Sequence, residues 1–183
     1  SFNKQIIDTT ADLVCAYKPN IAFYEASGLD GLSQLKKTID YIHDKYTNIP
    51  VILDAKRADV PNTARMYAKA LFEYFDADAA TIFPFLGYDS VKPFFQYKDR
   101  SPILIIKTSN KDASIFENTQ IAEEMQKWMF PNISLFVGAT YPEELAAVRK
   151  LFPTYPILTA GIGAQGADTE KAVKAGIDAN GNN

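Results

Sequence analysis

One cysteine, one histidine and one tryptophan occur among the 183 residues. The single cysteine, Cys15, excludes an internal disulfide. With one histidine, His43, and no group of cysteines, a structural zinc site is not expected. No apolar run approaches the roughly 18 residues that cross a bilayer, and no charged segment followed by an apolar one opens the chain. No block of basic residues offers a footprint for a phosphate backbone, and the net charge of −3 argues against a general nucleic-acid binder. The expectation is a reduced, cytoplasmic protein with no membrane and no nucleic acid as partner. Cys15, inside Leu13-Val-Cys-Ala-Tyr17, reads as a small buried core residue rather than a nucleophile. His43 lies in a helical pattern far along the chain and reads as a helix-surface residue.

What is present suits a well-filled core: 47% of residues are hydrophobic and 22% charged. Short apolar, β-branched runs predict strands over Leu13–Lys18, Val51–Lys56, Ala79–Phe85, Ile103–Thr108, Ile133–Gly138 and Ile157–Gly161. Between them, Leu32, Leu35, Ile39, Ile42 and Tyr46 recur at spacings of three and four, which makes one apolar stripe on a helix. Further helices are predicted over Asn62–Phe75, Ser90–Tyr97, Ala122–Phe130, Pro142–Phe152 and Asp168–Ala175. The strands are near-continuous apolar runs, as in a parallel sheet covered by helices. With no internal composition shift, residues 1–183 read as one α/β domain.

Two architectures fit, a doubly wound sheet and a (β/α)8 TIM barrel. Polar residues gather at the carboxyl ends of several successive strands: Lys18, Asp54 with Lys56, Ser109 with Asn110, and the run from Gly161 to Gly166. A barrel brings all such ends to one mouth, so the barrel is favoured. A barrel needs eight strands and six are predicted. The start without Met and the finish at Asn180-Gly-Asn-Asn183 fit an expectation of missing strands at both ends.

The most informative stretch is Asp54-Ala-Lys56-Arg-Ala-Asp59-Val-Pro-Asn-Thr63, where two carboxylates flank one lysine directly after an apolar run. Carboxylate neighbours hold an ammonium where a reaction needs it; the alternative is a solvated ion-pair cluster in a loop. In an extended strand Asp54 and Lys56 point to the same side, because side chains repeat with period two. Asp59, three residues further on, is free to project elsewhere, or it caps the following helix, for which Asn62 is the better-placed residue. Gly161-Ile-Gly163-Ala-Gln165-Gly166 follows a strand and precedes a helix. Its small residues suit either the approach of a phosphate to backbone amides or a simple tight turn. Ser109 is either a ligand for a polar edge or a turn residue at a strand end.

These motifs, together with Cys15-Ala-Tyr-Lys18-Pro-Asn-Ile-Ala-Phe-Tyr-Glu25, Lys107-Thr-Ser109-Asn110 and Val137-Gly-Ala-Thr140, resemble those of the orotidine 5′-phosphate decarboxylase family, in the same order and over nearly the whole chain. The resemblance implies a cofactor-free decarboxylase of a pyrimidine nucleotide, a homodimer with shared active sites. It implies that Lys56 protonates C6 of the ring, that Asp54 faces the departing carboxylate, and that Lys18 holds Asp54 and bonds the ribose. By the same resemblance Asp59 and Thr63 reach the site of the partner subunit, Ser109 bonds the pyrimidine, and Gln165, Gly161 and Gly163 belong to the phosphate loop. Ala160 departs from the family's usual Pro. Two alternatives stay open: a metal-dependent sugar-phosphate decarboxylase or aldolase of the same superfamily, and a non-catalytic nucleotide-binding fragment. Lys18 argues against the former, because a cation would stand where those relatives carry an acidic metal ligand.

Overall fold

The computed structural model describes residues 2–117, 119–128, 132–163 and 165–182. Among these, five parallel strands form one sheet in chain order: β1 Ile52–Arg57, β2 Ala79–Ile82, β3 Ser101–Lys107, β4 Ser134–Gly138 and β5 Ile157–Ala160. Each strand pairs with its neighbour in sequence, and each connection passes through helix, which is the order of successive βα units in a barrel.

The helices are α1 Phe2–Thr10, α2 Ile21–Glu25, α3 Gly28–Lys45, α4 Pro61–Lys69, α5 Tyr88–Val91, α6 Thr119–Gln126, α7 Pro142–Leu151 and α8 Thr169–Gly176. The periodic stripe predicted on α3 is buried through Leu35, Ile39 and Ile42. Helix α4 continues into a π-helical turn at Ala70–Tyr74, so the predicted helix to Phe75 is one body with a changed pitch. The predicted end of α6 at Phe130 lies outside the described residues. Helices α1 and α2 were not expected from periodicity; α2 has five residues and depends on Asn20, whose Oδ1 accepts the Ala22 N–H at 3.0 Å.

Alternation along the strands sorts the core into two parts. Leu53 and Ala55 of β1, Ala80 and Ile82 of β2, Leu104 and Ile106 of β3, and Leu135 and Val137 of β4 turn outward into the large cluster shared with the helices. Ala79, Ile103, Ile105 and Phe136 form a smaller cluster on the other face, with Ile52, Phe83 and Leu158 against it. By period two Asp54 and Thr81 belong to this second, inner face.

Four expectations need correction. Leu13–Lys18 is not a strand. The chain there makes isolated parallel bridges, Tyr17 to Val51 and Asn20 to Asp54, because Pro19 has no N–H to continue a ladder. The run still lies beside β1, with the Asp54 N–H donated to the Pro19 carbonyl at 2.9 Å. Cys15 is exposed, since it sits in the irregular link between α1 and this segment rather than in a packed strand. His43 is half-buried rather than a free surface group: its Nε2 lies 2.9 Å from Asp78 Oδ2, the atom that also accepts the Val51 N–H at 2.8 Å. Last, α4 begins at Pro61 with Val60 as N-cap, so neither Asp59 nor Asn62 caps it. Pro at the first helical position needs no donor there.

Helices α2 and α3 meet at Gly31, where a Cβ would lie 2.0 Å from the backbone oxygen of Tyr24. Alanine gains up to about 1 kcal/mol of helix propensity over glycine, but overpacking of this kind costs about 1 to 3 kcal/mol and the obstacle is backbone. Gly31→Ala is expected to lower the urea midpoint of unfolding; an unchanged or raised midpoint would show that α2 yields freely.

Candidate active site

The site is built on Asp54, which is 7% exposed at the inner face of β1. A buried carboxylate needs partners for its lone pairs, and four donors supply them. Lys18 Nζ lies 2.9 Å and Asn20 Nδ2 3.3 Å from Oδ2; Lys56 Nζ lies 2.6 Å and Thr81 Oγ1 2.9 Å from Oδ1. Burial by itself would raise the carboxyl's pKa; the hydrogen bonds from Lys56 and then Lys18 outweigh it, and the net direction is downward. Asp54 is therefore a fixed negative charge between two ammonium groups at neutral pH.

Lys56 stands on the same side of the strand as Asp54, as period two requires, but the backbone between them is not extended. From Leu53 to Arg57 β1 advances four residues while β2 advances two, from Ala80 to Ile82, and Lys56 has φ 48°. A left-handed conformation at a residue with a Cβ is strained and is found where the surroundings enforce it. Arg57, at the end of the bulge, donates to the Ala55 carbonyl at 3.0 Å and pairs with Glu25 of α2.

A second group gathers at the ends of β3, β4 and β5. A Cβ on Gly161, whose φ is 108°, would lie 2.8 Å from Gln165 Oε1, 3.4 Å from Thr140 Cγ2 and 3.6 Å from Ser109 Cβ. The positive φ favours glycine here, and a Cβ would press on Gln165 while meeting Thr140 and Ser109 at ordinary contact distance. The loop closes on itself: the Gly166 N–H bonds the Gly163 carbonyl at 2.8 Å and the Ala167 N–H bonds the Gly161 carbonyl at 3.1 Å. Gly163 lies farther round it, and Ala164 of the predicted motif is outside the described residues. Among the described residues, Thr140 Oγ1 is buried without a hydrogen-bond partner. A cleft of about 350 Å³ lies between Lys56 and the loop after β3, lined by Lys56, Phe83, Thr108, Asn110 and Phe116 among others.

Among the described residues, no hydrogen bond or ion pair joins the side chain of Asp59 or Thr63 to either group in the single chain. Asp59 Oδ1 accepts the Val60 N–H at 2.7 Å, and among the described residues no ion pair joins it to Lys56. Among the described residues, no three His, Cys, Asp or Glu side chains converge as a metal site would need.

Several members of the site were not predicted. Thr81 is the polar exception in the buried strand Ala79-Ala-Thr-Ile82, a visible signal had its strand pairing been known. Glu117 is another: its Oε2 accepts the Thr108 N–H at 2.5 Å and the Thr108 hydroxyl at 2.8 Å, while Lys107 Nζ donates to the Glu117 carbonyl at 3.0 Å. These bonds fasten the loop after β3 beside Ser109. A lone glutamate in a polar loop carries no mark of that role.

Comparison with known proteins agrees with this geometry. Residues 3–183 match the family described as "Orotidine 5'-phosphate decarboxylase / HUMPS family". A protein of Cellvibrio japonicus named orotidine 5′-phosphate decarboxylase is 45% identical over 193 residues, covering 100% of this chain and 70% of its own length. The structure of Leishmania donovani UMP synthase superposes with a TM-score of 0.90 at 38% identity, covering 96% of this chain and 41% of that one. The orotidine 5′-monophosphate decarboxylase of Methanocaldococcus jannaschii, solved with the inhibitor BMP, gives 0.77 at 26% identity, over 93% of this chain and 77% of that one. The fold is thus that of part of a (β/α)8 barrel, and the chain belongs to the orotidine 5′-phosphate decarboxylase / HUMPS family, as a homologue of carboxy-lyases that serve pyrimidine biosynthesis.

Proposed function

We propose that the protein converts orotidine 5′-phosphate to uridine 5′-phosphate without a cofactor, with Lys56 as the proton donor. The observation that carries this reading is the Lys18–Asp54–Lys56 array on the inner face of β1, joined by bonds of 2.9 and 2.6 Å. The C6–carboxylate bond breaks, carbon dioxide leaves, and the electron pair stays on C6. An adjacent ammonium stabilises that developing charge and then transfers its proton to C6. Asp54 faces the substrate carboxylate, and their repulsion disappears as carbon dioxide departs. Lys18 holds Asp54 and reaches the ribose.

In the same proposal Ser109 bonds the pyrimidine, and Gln165 with Gly161 and Gly163 receives the phosphate. Support for the phosphate role is the meeting of Gln165 and Ser109 at Gly161, in a turn where three glycines have positive φ. Asp59 and Thr63 complete the site of a second copy in a homodimer. Asp59 makes no ion pair with Lys56 within one chain among the described residues, which leaves its carboxylate available to a second copy. A cytoplasmic location fits a chain in which, among the described residues, no helix is long and apolar enough to cross a membrane.

Lys56→Ala in the full-length protein is expected to lower turnover by about 10³-fold or more, because a proton donor and a charge stabiliser vanish together. Uridine 5′-phosphate should still bind. Activity within about tenfold of wild type, roughly 1.4 kcal/mol, would remove Lys56 from that role.

Mixing inactive Lys56→Ala with inactive Asp59→Ala protein should restore about a quarter of the wild-type sites, since half the dimers are mixed and each has one intact site. Mixtures that stay inactive under subunit exchange would end the shared-site proposal.

Gln165→Ala should weaken nucleotide binding by about 1 to 3 kcal/mol, the usual worth of a bond to a charged group, and leave nucleoside binding nearly unchanged. Calorimetric titration of both ligands decides it. Equal losses would move Gln165 to the base or ribose.

A further inference from the structure

We propose that Thr81 is a positioning residue for the decarboxylation, its hydroxyl locking the Lys56 bulge and the Asp54 carboxylate into one fixed relation. The inference rests on the function proposed above and adds to it a residue that need not touch the substrate. Thr81 is 1% exposed, on the strand next to the one that carries both charged groups. Its Oγ1 accepts the N–H of Ala55 at 3.0 Å and the N–H of Lys56 at 3.0 Å, and donates to Asp54 Oδ1 at 2.9 Å. A hydroxyl has one hydrogen to give and two lone pairs to receive. All three are used, so its orientation is determined: both amides can only donate, and the hydrogen therefore points at Asp54.

The bulge explains why a hydroxyl is needed here. Two extra residues of β1 fall between Leu53 and Arg57 relative to β2, which frees backbone amides that an unbroken ladder would have paired. Thr81 takes two of them in the interior of the barrel, where an orphaned N–H is costly. Its grip on the Lys56 N–H also helps to hold that residue at φ 48°, a conformation that needs outside enforcement. One atom thus sets both the backbone from which the Lys56 ammonium extends and the direction of the carboxylate that ammonium meets. The other charged groups facing Asp54 are Lys18 and Lys56 themselves, each by a flexible chain that follows where the carboxylate is placed.

The test uses full-length protein with Thr81→Val, which keeps the shape and removes the hydroxyl, and Thr81→Ser, which keeps the hydroxyl. Misplacing reacting groups by about 1 Å costs about 100-fold in rate. We expect kcat of Thr81→Val to fall by about that factor while the dissociation constant of uridine 5′-phosphate stays within about threefold, and Thr81→Ser to recover most of the loss. Amide hydrogen exchange at Ala55 and Lys56 should quicken in Thr81→Val and not in Thr81→Ser. Unchanged kcat in folded Thr81→Val, parallel losses of kcat and nucleotide affinity, or unchanged exchange at the two amides would each overturn the proposal. If Thr81→Val does not fold, Thr81→Ala is read against Thr81→Ser with the same outcomes. If wild-type protein shows no decarboxylation, the proposed function fails, and the exchange at Ala55 and Lys56 still decides whether Thr81 holds the bulge.

Discussion

The inner face of this sheet is organised by a desolvated carboxylate. Asp54 has given up nearly all contact with water, and a charge in that position is tolerated only if it is paired and hydrogen-bonded. Its donors come from three places in the chain: Lys18 and Asn20 from the segment ahead of α2, Lys56 from the same strand, and Thr81 from β2. Asn20 also caps α2, so one side chain ties the start of a helix to the charged centre. Removing any one donor leaves part of a buried charge uncompensated, which is why these otherwise separate segments are held in register at the barrel mouth.

Around that centre the rest of the site follows from parallel topology. Successive βα units deliver every strand's carboxyl end to the same side, so Ser109, Thr140 and Gln165 arrive together although they lie 31 and 25 residues apart in sequence. The outer strand faces supply the hydrophobic cohesion with the helices, and the inner faces are left free for polar groups. A carboxylate and a lysine two residues apart on a strand are thereby placed in the mouth by the same alternation that builds the core.

Much of this was legible in the sequence. Apolar runs located β1 to β5 within a residue or three at each end, and the period of two correctly put Asp54 and Lys56 on one side. Family resemblance supplied the identity of the groups that converge. Interactions between distant positions were not legible. The bulge at Lys56 is stabilised by Thr81, 25 residues away, and no local pattern in Val51–Lys56 announces it. Cys15 looked buried because its neighbours are apolar, yet a single proline at position 19 suffices to keep that segment out of the ladder. The loop clamp at Glu117 and the short helix α2 likewise depend on one hydrogen-bonding side chain meeting backbone far from any periodic signal.

Within one chain the two ammonium groups on Asp54 leave the cluster with a surplus of one positive charge. In the proposed dimer the carboxylate of Asp59 from the second copy would offset that surplus, so the mouth of a separate chain and the mouth of a paired one would differ by a unit charge. Opposite charges brought together at each mouth would favour association. At about 0.15 M salt such a field fades within about 8 Å, so this attraction would act only between surfaces already close to contact.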